Sequence, residues 1–271
     1  MTTTTTTTTT KTASLTLVSF YIGIKTVEPD RHWHHKLEDY VSSGQQLIDI
    51  PIKKVLFIDA EIVPKFTLNS YTHIIPITLN DFPLYVKYYH LCLSGRIKVL
   101  TPNINKDTAL FHILQISKTE FMKRAIELNH FNTEIFAWID FGIRKIYKSD
   151  DEMLECVSNI QSNISHVPRD SILIPGCWQF NGFDNSEFVR ILWYFCGGFF
   201  IGYKDNILKF AYRVKEDVEY IIEHEEKLTF EVNIWFRIWR YIVKNPSYNT
   251  FNIKQYIADH NASLTNYSSN V

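Results

Sequence analysis

Asp140 is the residue best placed to do chemistry. It closes the apolar run Ile135-Phe136-Ala137-Trp138-Ile139, and Phe141, Gly142 and the cations Arg144 and Lys145 follow it. Such a run, rich in β-branched and aromatic residues, predicts a buried strand. A carboxylate at the C-terminal end of a strand in an open α/β sheet stands where the loops form the ligand crevice. Asp140 is therefore expected to face a ligand. Asp59 repeats the pattern after Lys54-Val55-Leu56-Phe57-Ile58. Gly197 and Gly198 interrupt an aromatic run, which calls for backbone that bends or approaches something closely.

Other candidates have simpler explanations beside the functional one. Lys118 lies on or beside the inward face of a helix, where a snorkelling lysine is commoner than a phosphate ligand. Glu231 falls in a helix first turn, where the helix dipole alone favours an anion. The Asp259-His260 pair belongs to a polar tail and reads as surface. His32 and His35 share a helical face at i,i+3. Flanking Arg31 and Lys36 make a zinc site unattractive there, so an amphipathic helix with half-exposed histidines is expected.

The elements that must position these groups follow from the pattern. Strands are predicted over 14–22, 54–61, 71–77 and 134–140, and a strand and turn over 171–178. Helices are predicted over 31–40, 83–93 (capped by Asn80 or Asp81) and from Asp107 or Thr108 through Ile126. A mixed, polar helix follows over 149–165. A further helix capped by Asp205 or Asn206 ends in the solvated cluster Glu223 to Lys227, and another is capped by Thr229. Alternating strands and helices indicate a βαβ sheet.

Composition sets outer bounds. The 271 residues are 45% hydrophobic and 15% aromatic, which suits one large α/β domain or two tightly joined halves. A net charge of −1 gives no field that would gather nucleic acid or an anionic membrane. No apolar run reaches membrane-span length. The four cysteines, Cys92, Cys156, Cys177 and Cys196, form no CxxC pair. This argues against a zinc site or disulfide framework and for a reducing, cytoplasmic setting. The threonine tract at the start lacks the apolar core of a signal peptide, so residues 1–13 are expected to be a disordered tail before a single domain over 14–271. The sequons at Asn163, Asn261 and Asn266 accordingly carry little weight.

Four segments in order resemble the HtrL/YibB family, a group of predicted glycosyltransferases. They are Lys118-Thr119-Glu120-Phe121-Met122-Lys123-Arg124-Ala125 leading into Phe136 to Ile143, Gly197 to Gly202, Leu228 to Trp235, and Tyr256 to Asn261. Val18-Ser19-Phe20-Tyr21 and the Arg and Trp that follow are similar too. The resemblance spans 14–270 and implies a GT-A fold, a Rossmann-like mixed sheet flanked by helices that binds a nucleotide diphosphate sugar at its strand C-termini. It implies Mn²⁺ or Mg²⁺, since a departing diphosphate needs its charge neutralised and hard cations take oxygen ligands.

The resemblance places Asp140 at the acidic DxD motif. Here the motif reads Asp140-Phe141-Gly142, without the second acid, so His260 is implied as a late-chain metal ligand, with Lys118 or Arg144 to neutralise phosphate. Glu231 is implied as the base for an acceptor hydroxyl. Gly197 and Gly198 would line the donor sugar, and Phe20, Tyr21 and Asp59 the base and ribose. The partners implied are a nucleotide-sugar donor and a glycan acceptor, as in polysaccharide biosynthesis. The alternatives are a non-catalytic nucleotide-sugar-binding protein that kept the fold, and a metal-dependent phosphohydrolase using Asp59 and Asp140.

Overall fold

A computed structural model describes residues 14–24, 27–28, 36–179, 182, 186–248 and 250–257. The first half runs β1 (Leu15–Tyr21), α1 (Leu37–Asp49), β2 (Lys54–Asp59), β3 (Thr72–Ile77), α2 (Pro83–Leu93), β4 (Lys98–Val99), α3 (Ala109–Ile116), α4 (Lys118–Leu128) and β5 (Ile135–Ile139). The second half adds α5 (Asp150–Ser162), β6 (Ser171–Gly176), β7 (Phe199–Tyr203), α6 (Lys204–Tyr220), β8 (Lys227–Leu228), α7 (Glu231–Lys244) and β9 (Asn252–Ile257).

One seven-stranded mixed sheet, in the order β3-β2-β1-β5-β7-β6-β9, carries the fold. β1, β2, β3 and β5 are mutually parallel, β7 runs antiparallel between β5 and β6, and β9 pairs parallel with β6. β4 and β8 form a separate two-stranded ribbon. Side chains alternate across a strand, so the sheet buries two faces. One packs α2, α3, α4, α6 and α7 over Phe57, Phe121, Trp138, Phe200 and Trp235. The other packs α1 and α5 over Leu17, Leu56, Ile139, Phe141 and Val157. All five residues of β5 are buried, as a strand covered on both faces requires. No helix among the described residues is long and apolar enough to cross a membrane.

Several expectations change. Residues 31–35, with His32, His34 and His35, lie outside the described residues, and the helix there runs Leu37–Asp49, later than the histidines suggested. The helix predicted from 107 or 108 to 126 is two helices broken at Ser117. The Ser117 hydroxyl donates to Ile113 O at 2.7 Å, the local competition for backbone carbonyls that serine introduces. Thr108 does cap the first of them, accepting from Phe111 N–H at 3.2 Å. Asp81 does not cap α2; it closes the preceding turn by accepting from Thr78 N–H at 2.8 Å. α6 and α7 begin after Tyr203 and Phe230, neither of which makes a side-chain cap. The Asp259-His260 pair lies outside the described residues, and Gln255, Tyr256 and Ile257 just before it end edge strand β9.

Candidate functional site

The break at Ser117 makes Lys118 the first residue of α4. A cation at a helix N-terminus opposes the dipole, and two carboxylates answer it. Lys118 Nζ lies 3.0 Å from Asp140 Oδ1 and 3.1 Å from Glu231 Oε1. It also donates to Gly197 O at 2.8 Å. Burial pulls the Lys118 ammonium toward its neutral form, but Asp140 and Glu231 prevail and hold its pKa above the ordinary lysine value. One cation between two acids leaves a formal negative charge in excess.

The three side chains differ in access. Lys118 is 2% exposed and Glu231 7%, whereas Asp140 is 36% exposed. Asp140 is thus the carboxylate that meets solvent, at the C-terminal end of β5. Its backbone N–H donates to Gly198 O at 3.0 Å, and Trp138, two residues back on the same face, donates Nε1 to Oδ1 at 2.7 Å. The indole fixes the rotamer of the carboxylate while Lys118 supplies the charge.

Glu231 opens α7, where the dipole favours it as expected. Thr229 serves another purpose: its hydroxyl donates to Glu187 O at 2.6 Å. Asn233, one turn into α7, donates to Glu187 O, Arg190 O and Thr229 Oγ1 and accepts from Leu192 N–H at 2.8 Å. This buried amide ties the 187–192 segment, which leads to Gly197, to the start of α7. Nothing in the sequence but a polar residue inside an apolar helix signalled it.

The two glycines have different jobs. A Cβ on Gly197 would stand 2.0 Å from Glu231 Oε1 and 3.3 Å from Lys118 Nζ. Gly197 therefore makes room for the protein's own carboxylate rather than lining a sugar. A Cβ on Gly198 would meet Ile143 at 3.4 Å and Asp140 Oδ2 at 3.8 Å, ordinary contacts.

Other expected site residues scatter. Phe20 packs on the α4 face against Phe121 and Trp138, at 5.0 and 5.3 Å between ring centroids. Tyr21 points to the opposite face, against Tyr40 and Phe141, where burial, then Tyr40 and Asp59, raise its pKa. Alternation along β1 keeps the two from lining one wall. Asp59 shapes its own loop: Oδ2 accepts from Gly23 N–H at 2.9 Å and Oδ1 from Glu61 N–H at 3.1 Å. Arg144 is held by Asp150 and by Tyr147 O. His260 lies outside the described residues.

The described donor set does not fit a divalent cation, which takes several oxygens. Asp140 offers one carboxylate whose Oδ1 already receives Trp138 and Lys118. No cluster of three or more His, Cys, Asp or Glu able to hold a metal occurs among the described residues. A cleft of about 560 Å³ between α6 and α7 and one of about 280 Å³ between α2, α4 and α6 exclude Lys118, Asp140 and Glu231. No protein-family model matches the chain, and no curated protein matches it by sequence.

Proposed function

We propose that the chain is a nucleotide-sugar-dependent glycosyltransferase of GT-A type, akin to the HtrL/YibB family, acting on a glycan or another hydroxyl acceptor. The observation that carries this reading is the convergence of Lys118, Asp140 and Glu231 on Gly197, at the C-terminal end of central strand β5. Three elements distant in sequence bring their charged groups to the sheet edge where α/β folds bind ligands.

In this reading Asp140, the exposed member, accepts hydrogen bonds from donor-sugar hydroxyls, held in its rotamer by Trp138. Glu231 takes the acceptor hydroxyl proton as that oxygen attacks the anomeric carbon. The bond from that carbon to the diphosphate breaks, and the nucleotide diphosphate leaves with the electron pair. Lys118 holds both carboxylates in place. The Mn²⁺ or Mg²⁺ implied by the resemblance would draw on His260 besides Asp140, and no step is assigned to it.

The test is a screen of common nucleotide sugars with Mn²⁺, Mg²⁺ or chelator, reading nucleotide diphosphate release. At least one donor is expected to turn over, with the rate falling by about 10²-fold or more in Asp140→Asn and Glu231→Gln. One observation favours a second reading, a sugar-nucleotide-binding protein without turnover: Glu231 is 7% exposed, with Oε1 already engaged by Lys118. Donor binding that persists in Glu231→Gln, with no release from any donor, would establish that reading instead.

A further inference from the structure

Cys177 and Cys196 are 19 positions apart in the sequence, yet their sulfurs lie 3.1 Å apart. The backbone on either side is tied to the opposite segment. Cys196 N–H donates to Pro175 O at 2.7 Å, and Cys177 N–H donates to Trp193 O at 3.2 Å. The two thiols are therefore carried by adjacent, hydrogen-bonded stretches and not by loops that meet by chance. A disulfide bond is about 2.05 Å long, so closing the gap takes a side-chain adjustment of roughly 1 Å and no rearrangement of the sheet.

The pair also has an entrance and an interior. Cys177 is partly exposed, and Cys196 is buried. The position of Cys196 matters further because the next residue is Gly197, whose carbonyl holds Lys118.

We propose that Cys177 and Cys196 form a reversible dithiol/disulfide centre, oxidised by low-molecular-weight disulfides, that braces the Gly197 backbone beneath the Lys118 ammonium. The Cys177 thiolate attacks one sulfur of the small disulfide. A mixed disulfide forms on Cys177 and the first small thiol leaves. The Cys196 thiolate then attacks Cys177 Sγ, the protein disulfide forms, and the second small thiol leaves. The protein loses two electrons, the small disulfide gains them, and the two cysteine protons depart on the small thiols. Cys92 and Cys156 take no part. Burial raises the thiols of Cys92, Cys156 and Cys196 alike, and what sets Cys196 apart is its place 3.1 Å from Cys177.

The experiment equilibrates the full chain with glutathione redox buffers of graded ratio, traps remaining thiols with a maleimide, and digests with trypsin. Cleavage after Arg190 puts Cys177 and Cys196 on different peptides, 170–190 and 191–204. The expected result is a crosslink between those two peptides, lost on adding dithiothreitol. A rise in Tm on the order of 5 °C on oxidation should accompany it, because a disulfide constrains the unfolded chain. Cys196→Ser should halt the reaction at a glutathione adduct on Cys177. If that variant does not fold, the crosslink in the natural chain still decides. Maleimide on both cysteines in the most oxidising buffer would overturn the proposal. So would a stable glutathione adduct on Cys177 of the natural chain, or crosslinks only between chains.

Discussion

At the scale of single residues the cluster around Lys118 is a linked ion network, and its members should not tolerate removal one at a time. Deleting the cation leaves Glu231 as a buried carboxylate with no counter-charge, a change that costs about 3–5 kcal/mol in comparable sites. Lys118→Met is expected to lose that much in urea denaturation. The double variant Lys118→Met/Glu231→Leu should recover a large part, because the one charge left without a partner, Asp140, is the one that meets solvent. A loss below about 1 kcal/mol in the single variant would show that the network contributes nothing to stability. The glycines give a second contrast at this scale. Gly197→Ala drives a methyl into Glu231 Oε1, whose retreat is blocked by Lys118. It should cost about 1–3 kcal/mol as an overpacked site. Gly198→Ala, with only ordinary contacts, should cost less than about 1 kcal/mol. Equal losses in thermal melts of the two variants would contradict this placement of the glycines.

At the scale of elements, the strands were legible because their apolar runs are short and bounded. β3 and β5 fall within a residue or so of where the pattern puts them, and Asp140 stands at its strand end as expected. What stayed hidden has a common physical cause. One predicted helix is two because the backbone leaves the helical ψ for a single residue at Ser117, a change that periodicity does not register. The Lys118–Glu231 pair joins residues 113 positions apart, and only tertiary packing brings them together. Lys118 had read as a snorkelling side chain, and the structure buries it instead. The Cys177–Cys196 approach escaped for the same reason, since spacing alone does not show which cysteines meet. The seat of α1 is another such feature. A Cβ on Gly44 would fall 2.1 Å from the Phe141 ring, so the glycine lets that ring press into the helix just beyond Asp140. Gly44→Ala is expected to push α1 off the sheet and cost about 1–3 kcal/mol, despite the higher helix propensity of alanine. A stabilised Gly44→Ala protein in chemical denaturation would mean that propensity outweighs packing there.

At the scale of the whole molecule, stability should depend on pH through a lysine far from the site. Lys54 opens β2 and is buried, its ammonium donating to Ile48 O at 3.0 Å and Ile50 O at 2.5 Å. Burial lowers its pKa from 10.5 to about 8, with Asp49 pulling weakly the other way. Between those two values the unfolded chain holds a proton that the folded one has released. Stability from this group must therefore rise with pH through that window, and below it the folded state carries the full penalty of a buried charge. Each pKa unit is worth about 1.4 kcal/mol, so the gain is at most about 3.5 kcal/mol. Two thiols act in the opposite sense. Cys92 and Cys156, raised from 9 to about 11, keep protons in the folded state that the unfolded chain gives up, and so weaken the fold as pH climbs past 9. A titration of the natural chain alone would mix the two trends. Lys54→Met carries the same thiols, so the difference in urea midpoint between the two proteins isolates the lysine. That difference should shift in favour of the natural chain as pH goes from 7.5 to about 10. A difference that stays flat would mean that the carbonyls around Lys54 already compensate its charge. Burial of Lys54 at the start of β2 would then impose no desolvation cost on the fold.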